Sequence, residues 1–167
     1  MKSLRKLLFI ALLLAGTISA LVGHGVPGAQ PKTLVVDMEL SKAFTQDFNG
    51  NKDFDPGEPF YLEGKLYTQG ADRKTAKPIG TFYCRGYVTL AGKKGPIAIG
   101  FVNQRFVLDG RGIIDGQGVD GQVFSIIGAS GEFRSNGTYT ADPLFKTDPV
   151  KECPNGIFCA RFTFTLE

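Results

Sequence analysis

The sequence of 167 residues contains no tryptophan, three cysteines and a single histidine, His24. His24 lies close to the N-terminus, in a segment that we expect to be removed from the mature protein. Its loss would exclude Ser-His-Asp and Cys-His catalysis and zinc sites with histidine ligands. The sequence is instead rich in glycine and phenylalanine, with 22 Gly and 14 Phe. This composition is typical of a β-rich domain with many turns.

Acidic residues are absent from the first 29 positions, where Lys2, Arg5 and Lys6 precede an almost entirely apolar stretch over 7–22. Small residues follow the apolar stretch. This order predicts a secretory signal peptide over residues 1–29, cleaved between Ala20 and Ala29, and hence a secreted or periplasmic protein. An uncleaved membrane anchor is the alternative, for which the stretch is at the short limit of a bilayer span.

The charge balance changes when the signal peptide is removed. The whole chain has 19 basic and 16 acidic side chains. Three of the basic side chains lie in the signal peptide, so the mature chain carries equal numbers of each sign. A nucleic-acid partner is not expected, because binding to phosphates requires a surplus of Lys and Arg.

The remaining chain, residues 33–167, shows short alternating segments separated by Gly-rich turns and no helical periodicity. Even spacing of antiparallel strands in a domain of this size favours closure into a barrel, which removes exposed sheet edges. The fold class is therefore predicted to be all-β, a single eight-stranded antiparallel barrel. The predicted strands are 33–40, 59–68, 79–90, 97–108, 113–119, 122–128, 136–141 and 158–166.

An acidic loop between the first two strands has oxygen-bearing side chains at positions 1, 3, 5, 7, 9 and 12 of a twelve-residue segment. This spacing matches the EF-hand template for Ca²⁺, except that Lys52 replaces the turn glycine and no helices flank the loop. The alternative is a solvated acidic turn. No cofactor is required, and a structural Ca²⁺ is predicted with these ligands: Asp47, Asn49, Asn51, Asp53, Asp55 and Glu58.

Three cysteines in an exported chain leave one thiol unpaired. Cys153 and Cys159 flank a five-residue loop that brings them opposite each other, so a disulfide is predicted between them. Cys84 is then predicted to be a free, inward-pointing thiol. A small buried apolar role is favoured over a nucleophilic one, because no thiolate-stabilising group lies nearby in sequence.

Several segments, taken in order, resemble the allene oxide cyclase barrel family and the related dirigent proteins. They are 57–60 (GEPF), 64–67 (GKLY), 79–84 (IGTFYC), 101–108 (FVNQRFVL) and the Gly-rich 126–133 (IIGASGEF). The resemblance covers about residues 34–166. It implies an eight-stranded barrel that is often oligomeric and has an apolar cavity. Within the Gly-rich element, Gly128 and Gly131 are expected at positive φ.

The plant cyclases of this family cyclise an unstable fatty-acid epoxide inside the barrel, which requires binding, orientation and oxyanion stabilisation. Their inward Glu and Asn on the first strand align with Asp37 and Glu39, a further Asn aligns with Gly64, and their Cys aligns with Cys84. The resemblance thus implies Asp37, Glu39 and Cys84 as candidate site residues. A solvated rim is the alternative for the two carboxylates. Because Glu39 and Gly64 replace amides, the plant reaction itself is not expected.

Three functions remain open at this point. The first is a barrel that binds or templates a small apolar ligand in its cavity without covalent catalysis. The second is an isomerase or cyclase that acts on a reactive lipid or phenolic intermediate. The third is a calcium-stabilised structural surface module. An open apolar interior would support the first two functions, and an interior filled by phenylalanine would support the third.

Overall fold

The computed structural model describes residues 31–51, 55–90, 99–133, 136–146, 152–155 and 157–167. The predicted signal peptide lies outside these residues. Eight strands follow one another: β1 Lys32–Thr45, β2 Pro59–Thr68, β3 Gly80–Leu90, β4 Ile99–Leu108, β5 Gly112–Val119, β6 Phe124–Ala129, β7 Gly137–Pro143 and β8 Cys159–Leu166. No helix in the described part of the chain is long and apolar enough to span a bilayer.

Each strand pairs antiparallel with the next, and β8 pairs with β1, so that the sheet closes into a barrel. The predicted fold class is confirmed. Alternation along each strand sends the apolar side chains inward, as in β1, where Leu34, Val36 and Met38 are all buried. The core is therefore the interior of the barrel itself.

The first strand is longer than the sequence analysis predicts, because it continues through residues that were assigned to the loop. The register shifts between Leu40 and Lys42, and the strand then pairs on to Thr45 opposite Phe60. A bulge of this kind breaks the alternation of side chains. It therefore hides the end of the strand from an analysis of periodicity.

The Gly-rich element after β6 behaves as predicted at one of its two glycines. Gly131 has a φ of 69°, and a Cβ there would also overlap the carbonyl group of Arg111. Gly128, in contrast, lies in β6 opposite Asp115 and has no positive φ. The expectation for Gly128 was wrong, because the strand extends through it.

Candidate functional site

The middle of the barrel is filled by six aromatic side chains. The ring of Phe106 lies 4.8 Å from that of Phe162, 4.9 Å from that of Phe164 and 5.1 Å from that of Phe82, measured between centroids. Such distances are typical of aromatic rings in direct contact. The aromatic cluster comprises Phe82, Phe106, Phe124, Tyr139, Phe162 and Phe164.

Glycines on the inner surface make room for these rings. A Cβ at Gly116 would overlap the ring of Tyr139, and a Cβ at Gly118 would overlap that of Phe124. Tyr139 and Phe124 are themselves stacked, with centroids 4.8 Å apart. The interior is therefore filled by side chains at this level, which is the outcome that supports a structural barrel over an interior ligand site.

A small polar cluster is embedded in the aromatic core. The hydroxyl of Tyr139 donates a hydrogen bond to Oε1 of Gln104 at 2.7 Å, and Gln104 also hydrogen-bonds Cys84. Burial, then the charge of Asp120, raises the pKa of the Cys84 thiol to about 12. The thiol is free, as predicted, and 2% exposed. It is therefore protonated.

Asp120 is a partly buried acid that lies between the predicted fifth and sixth strands. It continues the inward alternation of Ile114, Gly116 and Gly118 beyond the end of β5. Burial raises the pKa of its carboxyl, and a hydrogen bond from the backbone of Gly100 partly opposes this. The alternation of inward and outward side chains along β5 is the sequence signal that could have identified the inward position of Asp120.

Asp37 and Glu39 lie on the outer face of the barrel. Because Val36, Met38 and Leu40 occupy the inward positions of β1, the residues between them must point outward. Asp37 is only 1% exposed and Glu39 only 8%. The inward position implied by the family resemblance is therefore wrong, and so is the solvated rim.

The two carboxylates are held by groups from β2, β8 and the loop after β2. Arg161 donates to Asp37 through Nε at 2.7 Å and Nη2 at 3.0 Å, and the backbone N–H of Gly70 donates at 2.7 Å. The Tyr67 hydroxyl lies 3.4 Å from Oε2 of Glu39. Burial alone raises the pKa of Asp37, but the hydrogen bonds from Arg161 and Gly70 and the nearby positive charges outweigh it, so the pKa is lowered.

This arrangement gives Asp37 a structural role. Asp37 is an ionised partner that joins β1 to β8, and its two oxygens are already occupied. Its geometry fits a structural ion pair, which remains satisfied without a ligand.

The acidic loop is organised by its own side chains. Glu58 is buried, and its two carboxylate oxygens accept from the backbone N–H groups of Phe48 at 2.9 Å and Asp55 at 3.0 Å. Oδ2 of Asp55 accepts from the amides of Asn49 at 2.6 Å and Asn51 at 2.7 Å. Four of the predicted calcium ligands are thus joined in one network.

The other two predicted ligands are Asp47 and Asp53. Oδ1 of Asp47 accepts from the backbone N–H groups of Asn49 at 3.2 Å and Gly50 at 2.6 Å. Asp53 lies outside the described residues. Within the described ranges, no group of three or more His, Cys, Asp or Glu side chains is placed to hold a metal. The calcium site remains a prediction.

A disulfide joins Cys153 to Cys159, the pair that the sequence predicts, with Cα atoms 5.7 Å apart. Both residues are buried. Nη2 of Arg73 lies 3.7 Å from Sγ of Cys159, which connects the loop after β2 to the start of β8. The disulfide therefore borders the buried carboxylate cluster on the outer side of β1.

A groove of about 470 Å³ lies on the outer face of β2 to β6. Sequence analysis missed it, because it is formed by residues of five strands whose register is not known from sequence. The alternation of Tyr61, Tyr83 and Arg85 on the outward face was the available signal. The lining residues are Tyr61, Tyr83, Cys84, Arg85, Asn103, Gln104, Arg105, Asp115, Gly116, Ile127 and Gly128.

The side chains of the groove stand in two rows across the sheet. In one row, Arg85 lies directly opposite Tyr61 of β2 and Asn103 of β4. In the next row, Arg105 lies between Tyr83 and Asp115.

Arg105 is fixed in this groove by Asp115. Its Nε and Nη2 donate to the two carboxylate oxygens at 2.7 Å and 3.0 Å. The hydrogen bonds that Arg105 donates to Asp115, and then the charge of Asp115, raise the pKa of Arg105 further. This bidentate pair holds one wall of the groove in place.

No protein-family model and no curated protein sequence matches this chain. Among solved structures, the chain is similar to a pyocyanin demethylase, with 17% identity and a TM-score of 0.55 over 80% of this chain and 100% of that one. It is also similar to a nonspecific heme-binding cyclase that catalyses a [4 + 2] cycloaddition during neoabyssomicin biosynthesis, with 14% identity and a TM-score of 0.53 over 81% and 65%.

A third similar structure is the Diels Alderase AbmU from Streptomyces koyangensis, with 13% identity and a TM-score of 0.52 over 89% of this chain and 73% of that one. At these identities the likeness is one of fold. The chain therefore shares its barrel architecture with proteins named as a demethylase, a cyclase and a Diels Alderase.

Proposed function

We propose that this chain is an exported β-barrel that binds a small, largely apolar ligand without covalent catalysis, and that the ligand occupies the outer groove. The observation that carries the proposal is the groove itself. Its volume of about 470 Å³ lies within the range of small-molecule pockets. Tyr61, Tyr83 and Ile127 supply apolar surface, and Arg85 and Asn103 supply polar groups that can orient a ligand.

Binding on the outer face replaces the interior site that the family resemblance implies. A ligand in the middle of the barrel would have to displace rings that are in contact with one another, such as Phe106 and Phe162. Such displacement opposes binding, because closely packed interiors do not deform continuously. The outer groove requires no displacement of the core.

The absence of covalent catalysis rests on the state of the reactive groups. Cys84 is a buried thiol with a raised pKa, and Asp37 is held in a bidentate ion pair. The chain contains no histidine after His24. A nucleophile with an adjacent general base, which covalent catalysis requires, is not assembled among the described residues.

Export is supported by the basic and apolar N-terminus and by the disulfide between Cys153 and Cys159. Disulfides persist in oxidising compartments and are rare in the cytosol. We therefore propose a secreted or periplasmic location.

Specific observations also support two other functions. The names of the similar structures favour a cyclase or isomerase, because such reactions need little more than binding and orientation of a reactive substrate. The filled interior favours a structural module, with the loop that ends at Glu58 as its predicted calcium site. Neither alternative explains why a groove with two tyrosines and two arginines is open on the outer face.

The proposed function is tested by filling the groove. Asn103 lies in the groove directly opposite Arg85, so Asn103→Trp places an indole where the ligand would lie. Thr165→Trp is the matched control, because Thr165 is exposed on β8, outside the groove. The probe is 2-naphthalenemethanol, a planar neutral molecule, observed by saturation-transfer NMR.

We expect saturation transfer to the probe with the wild-type protein and with Thr165→Trp, and its loss with Asn103→Trp. Circular dichroism and thermal melts establish that both variants are folded. No transfer with the wild type, or equal transfer with all three proteins, would contradict a ligand site in the groove.

A further inference from the structure

Arg85 is the one cation of the groove that makes no ion pair among the described residues. It is exposed and lies on the outer face between Tyr61 and Asn103. The described ion pairs involve other basic residues, among them Lys42, Arg105 and Arg161. A guanidinium in this position presents its N–H donors to whatever enters the groove.

The charges that line the groove sum to one positive charge. Arg105 and Asp115 neutralise each other in a bidentate pair. Glu63, which lies opposite Tyr83, is paired with Lys42 at 3.1 Å. The remaining charge is that of Arg85, so the groove is complementary to a single negative charge.

The shape and chemistry of the walls point to a planar ligand. Tyr61 on β2 and Tyr83 on β3 are diagonal neighbours across the strand pair, which places their Cα atoms about 7–8 Å apart on the outer face beside Arg85. Burial, then the nearby Glu63 and Tyr83, raises the pKa of Tyr61, so its hydroxyl remains a neutral donor. Ile127 provides an aliphatic surface at the opposite end.

We propose that the groove recognises a planar aromatic molecule that carries one carboxylate, and that Arg85 is the residue that binds the carboxylate. This inference rests on the proposed function and specifies the class of its ligand. The guanidinium fork matches both carboxylate oxygens, and its plane can also stack on an aromatic ring. Asn103, next to Arg85, can donate to or accept from a second polar group on the ring.

The test compares two probes of nearly the same shape, 2-naphthoate and 2-naphthalenemethanol. Because the protein contains no tryptophan, the naphthalene fluorescence can be followed directly in anisotropy titrations. The proteins are the wild type, Arg85→Gln, Arg85→Lys and the control Lys77→Gln, which removes one positive charge from an exposed position outside the groove. Arg85 is exposed, so its substitution leaves the core intact.

We expect the wild type to bind 2-naphthoate about tenfold more tightly than the alcohol, because the carboxylate gains one charge-assisted hydrogen-bonded contact. Arg85→Gln should remove this difference by weakening 2-naphthoate alone, and Arg85→Lys should restore part of it. Lys77→Gln should bind as the wild type does.

The outcomes separate this inference from the proposed function. Equal binding of both probes by the wild type, with no effect of Arg85→Gln, would overturn the carboxylate preference and leave the groove as a ligand site. Binding of neither probe would overturn both proposals. A change of oligomeric state in Arg85→Gln on size-exclusion chromatography would also overturn the inference, because it would identify the groove as a contact between copies of the chain.

Discussion

Asp37 shows how a single buried acid can serve the closure of the barrel. β1 and β8 are the first and last strands, and the carboxylate of Asp37 on β1 accepts two hydrogen bonds from Arg161 on β8. The same carboxylate accepts from Gly70, which fixes the loop after β2 over the outer face. One side chain therefore joins three parts of the chain that are far apart in sequence.

Asp37→Asn should lower the free energy of unfolding at pH 7 by about 1–3 kcal/mol, because it removes the charged acceptor and leaves buried donors unsatisfied. The pKa of Asp37 is lowered in the fold, so its stabilisation is complete above the unfolded value and is lost as the pH falls below about 4. Urea unfolding of both proteins at pH 7 and pH 3 measures this.

The difference between wild type and Asp37→Asn should therefore shrink at pH 3. Asp109→Asn, at an exposed turn position, is the control and should change stability little at either pH. A difference of equal size at both pH values would show that the ion pair does not account for the effect.

Cys84 should be unreactive in the folded protein. Its thiol is 2% exposed and its pKa is raised to about 12, so the fraction present as thiolate at pH 8 is negligible. Iodoacetamide should label no cysteine under native, non-reducing conditions and one cysteine in guanidinium chloride, as measured by intact mass. Rapid labelling in the native state would mean that Cys84 is accessible or activated.

At the scale of elements, the strands were predictable and their irregularities were not. β2 spans Pro59–Thr68, as the sequence predicts. β1 continues past the predicted end because its register shifts after Leu40, and a shift in register leaves no periodic signal. The groove on β2 to β6 depends on the register of five strands, which a single sequence does not specify.

The direction of the candidate site residues on β1 was also predicted wrongly. The direction of Asp37 and Glu39 was taken from a family resemblance. The alternation of Leu34, Val36 and Met38 already places these two acids on the other face of β1. Local alternation was the stronger physical argument in this strand.

The loop between β1 and β2 should bind Ca²⁺ and be stabilised by it. At a concentration one hundred times the Kd, the gain would be about 2.7 kcal/mol. Thermal melts with millimolar Ca²⁺ and with a chelator measure the shift, and Glu58→Gln should abolish it. Because Glu58 already accepts two backbone hydrogen bonds, that variant should also melt lower without calcium. The wild type melting identically in both conditions would remove the calcium site.

At the scale of the whole molecule, the closed barrel is a scaffold whose interior and exterior have separate roles. The aromatic cluster and the polar cluster of Gln104 and Tyr139 fill the interior and are satisfied there. The outer face carries the open groove and Arg85, which makes no ion pair within the described part of the chain. This division predicts that similarity of fold to cyclases does not extend to chemistry inside the barrel.

The protein should therefore not cyclise allene oxides above the spontaneous background. Asp37 and Glu39 lie outside the barrel, and the space beside Gly64 is occupied by Met38. Loss of one oxyanion donor typically reduces the rate by about 10²–10³. Chiral analysis of the product formed from freshly generated allene oxide should show the same racemate as the protein-free control. An excess of one enantiomer would show that other groups supply the reaction.

The most direct measurement is to find which face of the barrel a bound ligand touches. Ile127 and Ile126 are neighbours in sequence, but Ile127 lines the outer groove and is 57% exposed, whereas Ile126 is 7% exposed and belongs to the interior core. Protein labelled at isoleucine methyl groups, mixed with 2-naphthalenemethanol, should show intermolecular NOEs from the naphthalene protons to the Ile127 methyl and none to the methyls of Ile126 or Ile114. NOEs to Ile126 and Ile114 without Ile127 would place the ligand inside the barrel and contradict the account.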